Sequence, residues 1–386
     1  MPHKRSRRLT PRLGKKTIYG WKLIINDEGK NLMPIRFKPE LRPVLIGSLP
    51  YRDHDEALTQ VIVHTPEIPV WAQLPANPQE QMIPQFLPGM PGLRTEENRM
   101  FIALGEDTFN TDLLAFYEAY LSITEADGDM AESEFALTPA AAGGFFTLVD
   151  YLKAPSTPPK AVKGQVTGPI TFGTGVKDEN GRAIFYDDQA RDAAIKLLSL
   201  KARWQVRQLS MGAWPVIIFI DEPALAGFGS SELISISKEE IIVCLEEVIK
   251  AIHAAGGLAG IHVCANTDWS LVLASGVDIV NFDAYLYFDR FILYPDQIKI
   301  FIEAGGVLAW GIVPTGDQAH IERETTDSLA NRWRQQARQV VNLGIDMEIL
   351  ATQSLITPSC GVGSLSIDHA EKVLNLTRCL SDRLRK

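Results

Sequence analysis

Residues 216–264 contain the stretch that decides the fold. It opens with "VIIFIDEP" (216–223), an apolar run that ends in two acids and a proline, and it closes with a similar run, "LAGIHVC" (258–264). Between them, "SKEEIIVCLEEVIKAIHAAG" (237–256) has apolar residues at i, i+3, i+4 and i+7, which is the pattern of an amphipathic helix. A buried strand, a helix and a second buried strand predict two parallel strands joined by a helical crossover.

The same alternation continues in both directions along the chain. Eight strand candidates alternating with amphipathic helices predict an α/β protein built as a (β/α)8 TIM barrel. A doubly wound open sheet is the alternative, but no glycine-rich dinucleotide fingerprint opens any of the helices. The strand candidates are "VLIGSLP" (44–50), "IPVWAQLP" (68–75), "VKGQVTGP" (162–169), "VIIFIDEP" (216–223), "LAGIHVC" (258–264), "VDIVNFDAY" (277–285), "VLAWGIVP" (307–314) and "ILATQSLITPSCG" (349–361). The predicted helices are 187–211, 237–256, 267–276, 294–306, 327–344 and 368–385.

Two regions depart from this alternation. Residues 1–40 begin with the basic stretch "MPHKRSRRLTPRLGKK" (1–16), which predicts a solvated tail, or alternatively a polyanion-binding arm, followed by an N-terminal hairpin. The catalytic barrel is predicted over residues 41–386, with an insertion at about 75–160 where the alternation is lost. We expect this insertion to have its own helices and to form a lid or a wall of the site.

Charge and cysteine content narrow the class of protein. The formal net charge of −9 argues against nucleic acid as the main partner. No apolar segment reaches the roughly 18 residues of a membrane span, and "WKLII" is too short for a secretory signal. The four cysteines lie far apart, which favours a reducing cytoplasm over a disulfide framework. Two of them, Cys244 and Cys379, fall in predicted helices and are predicted to be packing residues.

In a barrel of this kind the functional site lies at the C-terminal ends of the strands. His262 and Cys264 are two residues apart on one strand, so their side chains point to the same face. A histidine, two cysteines and a carboxylate are ligands that zinc takes in a catalytic site, where one position stays open. Simple packing of the His-x-Cys pair is the alternative. The strand-end residues expected to converge are Ser48, Thr167, Asp221, Glu222, His262, Cys264, Asp283 and Cys360.

This donor set also predicts a chemistry. Two thiolates and an imidazole leave a zinc ion nearly neutral, so it generates hydroxide poorly but is well suited to keeping another thiol as a thiolate. Attack of that sulfur on an activated methyl group is the natural reaction. Asp221 or Glu222 is the candidate catalytic acid residue that would bind a substrate ammonium group. Capping of the following turn, or pairing with an arginine of the barrel, is the alternative role. At "VTGP" (166–169), small residues and backbone amides would allow close approach of a substrate.

Six of these strings occur in the order seen in a known family. "IGSLP" (46–50), "VTGP" (166–169), "IDEPAL" (220–225), "HVC" (262–264), "VDIVNFDA" (277–284) and "TPSCG" (357–361) resemble the catalytic barrel of cobalamin-independent methionine synthase, within the uroporphyrinogen decarboxylase-like group. The resemblance covers roughly residues 44–380. It implies a (β/α)8 barrel whose Zn²⁺ activates the thiol of homocysteine.

The resemblance also implies roles for individual residues. It makes His262, Cys264 and Cys360 zinc ligands, and it places Asp283 where the family has a glutamate ligand. Because aspartate is one methylene shorter, we expect Asp283 to be a weak, exchangeable fourth ligand. The homocysteine amino group would bind Asp221. The remaining substrate-binding residues would be Ser48, for the carboxylate, together with Gly47 and Thr167.

Two departures from the family bear on the methyl donor. The folate-dependent family enzyme has a duplicated N-terminal barrel, whereas about 40 residues precede the barrel here. That enzyme also has a histidine after the seventh strand, and "LAWGIVPTGDQ" (308–318) has none. We therefore expect a stand-alone, core-type member that takes its methyl group from a corrinoid protein. The alternatives are methylation of another thiol such as coenzyme M, a metal-free porphyrinogen decarboxylase-like lyase, and a non-enzymatic partner of a corrinoid protein.

Overall fold

The computed structural model describes residues 37–97, 99–125, 130–228 and 235–386. The tail and hairpin predicted over residues 1–40 lie outside the described residues, apart from 37–40.

A curled sheet of seven parallel strands forms the centre of the described chain. The strands follow the order β1-β9-β8-β7-β6-β5-β4. From β4 to β9, each strand lies beside the next strand in the chain, and β1 lies beside β9. A separate antiparallel pair, β2 and β3, belongs to the predicted insertion. The strands are β1 (Arg42–Pro43), β2 (Leu93–Glu96), β3 (Arg99–Ile102), β4 (Val162–Thr167), β5 (Val216–Asp221), β6 (Leu258–Val263), β7 (Ile279–Phe282), β8 (Val307–Val313) and β9 (Ser354–Pro358).

The run predicted as the second barrel strand does not join this sheet as a regular strand. Residues 68–73 touch its two edges through isolated bridges, Ser48 with Gln73 on one side and Val70 with Lys163 on the other. The proline in this run has no N–H to donate, which shortens any ladder it could form. The mixed α/β class with a parallel, TIM-like sheet is confirmed. The prediction of eight regular strands in a closed ladder is wrong at this strand. It is also wrong at 44–50, because the regular strand ends at Pro43 and Ser48 forms only an isolated bridge; the prolines at 43 and 50 have no N–H to donate. The predicted strand 349–361 is regular only over Ser354–Pro358, since residues 349–352 lie in the helix Met347–Thr352.

Helices cover the sheet between successive strands. The predicted helices correspond to α5, α6, α7, α9, α11 and α13. Their starts follow local rules: at α6 the side chain of Ser237 accepts from the Glu240 amide, while the Glu240 side chain accepts from the Ser237 amide. The helices are α1 (His54–His64), α2 (Phe109–Thr124), α3 (Gly143–Leu152), α4 (Pro169–Gly175), α5 (Asp188–Leu209), α6 (Lys238–Ala254), α7 (Trp269–Ala274), α8 (Phe288–Phe291), α9 (Pro295–Glu303), α10 (Gln318–Arg323), α11 (Thr326–Val341), α12 (Met347–Thr352) and α13 (Ile367–Leu384). None of the helices in the described ranges combines the length and apolar character that crossing a bilayer would need.

The inner face of the sheet changes from apolar to polar along the strands. On β5, Ile217 and Phe219 belong to an apolar cluster, and Asp221 follows them on the same face. On β7, Ile279 belongs to that cluster and Asn281 follows it. The apolar cluster therefore forms a floor, and the polar residues gather at the C-terminal ends of the strands, which we call the mouth.

The two helical cysteines have different surroundings. Cys244 is buried on α6, and burial raises the pKa of its thiol to about 11, so it is an inert packing residue. Cys379 is exposed on α13. Its prediction as a packing residue is wrong, because it lies on the solvent face of that amphipathic helix.

Candidate metal centre

Register places three of the predicted site residues side by side. Thr167 on β4 pairs with Asp221 on β5, and Asp221 pairs with His262 on β6. His262 in turn pairs with Asn281 on β7. Cross-strand partners share a face, so four polar side chains form a row across the mouth. All four are at least nine-tenths buried.

His262, Cys264 and Cys360 form a group that fits a metal ion. One ring nitrogen of His262 and the sulfur atoms of Cys264 and Cys360 all lie within 4.8 Å of one another. Around a tetrahedral zinc ion such atoms are about 3.6–3.8 Å apart, so shifts of about 1 Å would complete the geometry. Both cysteines are only partly buried, which leaves one side of the group open to solvent.

The two nitrogens of the His262 ring have different surroundings. Nδ1 contacts the side-chain oxygen of Asn281. Nε2 is buried and makes no hydrogen bond within the described chain. A buried polar atom without a partner is costly, and a bound metal at Nε2 would remove that cost. The orphaned nitrogen therefore fits a metal ligand better than a packing residue.

Each of the two cysteine thiols changes the acidity of the other. The neighbouring Cys360 thiol and the adjacent His262 ring lower the pKa of Cys264 below its usual value. The hydrogen bond with Cys264 raises the pKa of Cys360 well above its usual value. The thiolate form is therefore favoured at Cys264, and a metal ion bound to both sulfur atoms would displace the proton of Cys360.

Asp283 lies near this group without joining it. Its Oδ1 accepts a hydrogen bond of 2.8 Å from the Leu286 amide, so the carboxylate caps the turn after β7. Burial raises the pKa of Asp283 to about 6. The three-residue group of the described chain does not include Asp283. The role of Asp283 as a weak, exchangeable fourth ligand therefore stays a prediction.

Asp221 has the surroundings expected of a residue that binds a cation. It is 5% exposed, and its Oδ1 has no hydrogen-bond partner within the described ranges. Burial raises the pKa of Asp221 to about 6, and the buried Lys163 ammonium opposes this rise. Lys163 itself donates to the Ile46 carbonyl and, at 3.2 Å, to Gln165 Oε1. One oxygen of Asp221 is therefore left for a ligand.

The Glu222 carboxylate is occupied by the first turn of a helix, which it stabilises. Its carboxylate accepts from the amides of Ile170 and Thr171, both at 2.9 Å, and from the Thr171 hydroxyl at 2.6 Å. These donors lie in the first turn of α4, where a negative charge is favoured. Burial raises the pKa of Glu222 to about 7, while the three donors favour the ionised form. Glu222 therefore caps α4, the helix after the neighbouring strand β4, and not the turn that follows Glu222; its predicted catalytic role stays a prediction.

Ser48 and Gly47 lie beside the loop that carries Cys360. Ser48 Oγ accepts a hydrogen bond of 3.3 Å from the Gly363 amide. A Cβ at Gly361 would lie 2.1 Å from Ser48 Oγ, so only glycine allows this approach. The Gly47 carbonyl accepts from the Gln73 amide at 3.1 Å. The structure therefore brings both predicted substrate-binding residues to the metal side of the mouth.

Thr167 connects the mouth to the insertion. Its hydroxyl donates a hydrogen bond of 2.6 Å to the Met82 carbonyl. In the same region Gln73 donates to Gln85 Oε1 at 2.6 Å, and Gln85 donates to the Ala141 carbonyl at 2.6 Å. Residues of the insertion thus form a wall of the mouth. The Thr167 hydroxyl is used to hold that wall.

Asn281, Lys163 and Gln73 were not predicted as site residues. Asn281 and Lys163 are polar residues inside near-continuous apolar strands, and that contrast is the signal that could have identified them. Gln73 ends the run 68–73 in the same way as the other strand-end residues. A polar side chain buried in such a strand needs a hydrogen-bond partner. The other polar side chains gather on the inner face, so a buried polar residue in a strand predicts a position on that face.

Comparison with known proteins gives little further information. No protein-family model matches this chain, and no curated protein matches it. Among solved structures, a methyltransferase from Methanosarcina mazei is similar at 15% sequence identity and a TM-score of 0.41. The match covers 61% of this chain and 64% of the Methanosarcina protein, so this chain spans less than two thirds of the length of that protein. At this level the likeness carries no argument about function.

Proposed function

We propose that this protein is a zinc-dependent thiol S-methyltransferase that converts homocysteine to methionine. The observation that carries the proposal is the group of His262, Cys264 and Cys360 at the strand ends. The six strings that resemble the cobalamin-independent methionine synthase barrel support it.

The proposed chemistry needs little from the protein beyond binding and orientation. A zinc ion with two thiolate ligands and one imidazole ligand lowers the pKa of a further thiol and keeps it nucleophilic. The lowered pKa of Cys264 favours the thiolate that a zinc ion would bind, and the partly exposed side of Cys264 and Cys360 leaves room for the substrate. The free oxygen of Asp221 binds the substrate ammonium, and the loop at Ser48 accommodates its carboxylate. The substrate sulfur gains the methyl group, and the donor leaves with the electron pair of the broken bond.

We propose a methyl-corrinoid, carried by a protein, as the donor. A folate amine leaves poorly unless it is protonated, so a folate-dependent site benefits from a positioned acid. Residues 308–318 offer no histidine, and their one acid, Asp317, accepts from the Ala319 amide at the start of α10. A corrinoid leaves without being protonated, so methyl transfer from a corrinoid does not require an acid in residues 308–318.

The test supplies each donor separately with homocysteine and measures methionine. We expect turnover with methylcobalamin or a methylated corrinoid protein and none with methyltetrahydrofolate. The reverse pattern would overturn the donor, and faster methylation of coenzyme M than of homocysteine would overturn the acceptor. A zinc-free protein that decarboxylates a porphyrinogen would overturn the whole proposal. Cys264→Ser should abolish turnover, whereas Cys379→Ser, a matched change on the exposed face of α13, should leave it unchanged.

A further inference from the structure

A buried side-chain amide lies directly behind the His262 ring. The Asn281 side-chain oxygen contacts His262 Nδ1. The Asn281 Nδ2 donates two hydrogen bonds of 2.8 Å, one to the Ala309 carbonyl and one to Thr357 Oγ1. Asn281 and Thr357 are fully buried and His262 is 3% exposed, so water does not replace any of these partners.

The partners of the amide determine which way it points. The Ala309 carbonyl can only accept, so the group that faces it must be the NH2 of Asn281. The oxygen of Asn281 must then face the His262 ring. Because that oxygen can only accept, Nδ1 of His262 must carry a proton. In the neutral ring that a metal ion requires, this is the one N–H, so Nε2 has a free lone pair.

This network also joins the strands that carry the metal group. His262 on β6 pairs with Asn281 on β7, and Asn281 pairs with Ala309 on β8. Thr357 lies on β9, three residues before Cys360. The amide of Asn281 therefore connects the strand that carries His262 and Cys264 with the strand that leads to Cys360.

We infer that Asn281 is a positioning residue: it holds His262 with Nδ1 protonated and Nε2 directed at the metal. The inference rests on the proposed metal site and goes beyond the ligand set. Residues that orient a metal-bound histidine typically contribute 10- to 100-fold in metal affinity. Here the orientation is set within the protein itself, through Ala309 and Thr357, before any metal binds.

The test compares two substitutions of similar size at one position. Asn281→Leu removes the acceptor for Nδ1, and we expect it to weaken zinc binding by about 10- to 100-fold in a chelator competition. Asn281→Asp keeps an acceptor for Nδ1 but loses the donors to Ala309 and Thr357, so its stability should fall while most zinc affinity remains. As a control, Ser354→Ala removes a different buried hydrogen bond, from Trp310 Nε1, and should leave zinc affinity unchanged.

A second readout does not depend on zinc affinity. Nuclear magnetic resonance of protein with ¹⁵N-labelled histidine reports which ring nitrogen of His262 carries a proton. We expect Nδ1 to be protonated in wild-type protein both with and without zinc. A bare Nδ1 in metal-free wild type would overturn the inference even if Asn281→Leu failed to fold, and so would a folded Asn281→Leu with wild-type zinc affinity. Protein that binds no zinc would contradict the proposed function, while the protonation of Nδ1 would still test Asn281.

Discussion

Replacing Asp221 with asparagine should weaken homocysteine binding without removing the metal. The substitution keeps the size of the side chain but removes the charge that faces the substrate ammonium. Truncating one partner of a buried charge pair costs about 2–5 kcal/mol. Because Cys264 and Cys360 beside it are partly exposed, solvent reaches the mouth, and we expect the lower part of that range. An increase of about 30- to 300-fold in the KM for homocysteine follows.

The assay measures initial rates with homocysteine and with 4-mercaptobutanoate, which lacks the amino group. Wild-type protein should discriminate strongly against 4-mercaptobutanoate, and Asp221→Asn should discriminate much less. Glu222→Gln is the matched control, because both oxygens of this adjacent carboxylate already accept hydrogen bonds from α4. It should lower the free energy of unfolding and leave the KM for homocysteine unchanged. An unchanged KM in Asp221→Asn, or loss of discrimination in Glu222→Gln, would refute the reasoning.

Three further predictions follow from the geometry. Asp283→Asn should retain one zinc per chain by elemental analysis, since its carboxylate caps a turn; zinc loss equal to that of Cys264→Ser would make Asp283 a ligand. Gly168→Ala should lower the free energy of unfolding in urea by about 1–3 kcal/mol, because its Cβ would lie 2.1 Å from the Glu222 carboxyl carbon and displace that cap; unchanged stability would contradict it. Burial lowers the pKa of Lys201 to about 7, although the nearby Glu134 opposes this. Above pH 7 the folded protein therefore binds fewer protons at Lys201 than the unfolded protein does, so stability rises with pH and the loss of stability due to Lys201 is largest at or below pH 7. Lys201→Met should therefore stabilise the protein by on the order of 2–4 kcal/mol at pH 7 and by less near pH 10, and an equal gain at both pH values would count against the buried ammonium.

The α/β class and the six strands β4 to β9 follow from local pattern, whereas the run predicted at 44–50 lies just after the two-residue strand β1. The unit from β5 to β6 was predictable, because each strand is a short apolar run and α6 has a helical period with a capping box at its start. The segment 68–73 was not, because one proline within a run of strand-like residues limits its pairing to isolated bridges. Hydrophobic pattern identifies the run, but hydrogen-bonding capacity decides whether it forms a regular ladder.

The site was predictable to the extent that it follows from strand phase. His262 and Cys264 share a face because they are two residues apart. Cys360 was expected near them because the C-terminal ends of the strands of a barrel converge, and the structure places the three residues together. Asp221 and Glu222 are adjacent, so one must face inward and the other outward, yet nothing local decides which does. The role of Asn281 depends on the register between β6 and β7, which only the three-dimensional structure shows.

X-ray absorption at the zinc edge of the purified protein tests the central claim most directly, because it counts the sulfur atoms around the metal. We predict one zinc per chain with two sulfur ligands at about 2.3 Å and lighter atoms in the remaining positions. Addition of homocysteine should raise the sulfur count from two to three. A protein without zinc, or a sulfur count that homocysteine does not change, would contradict the account.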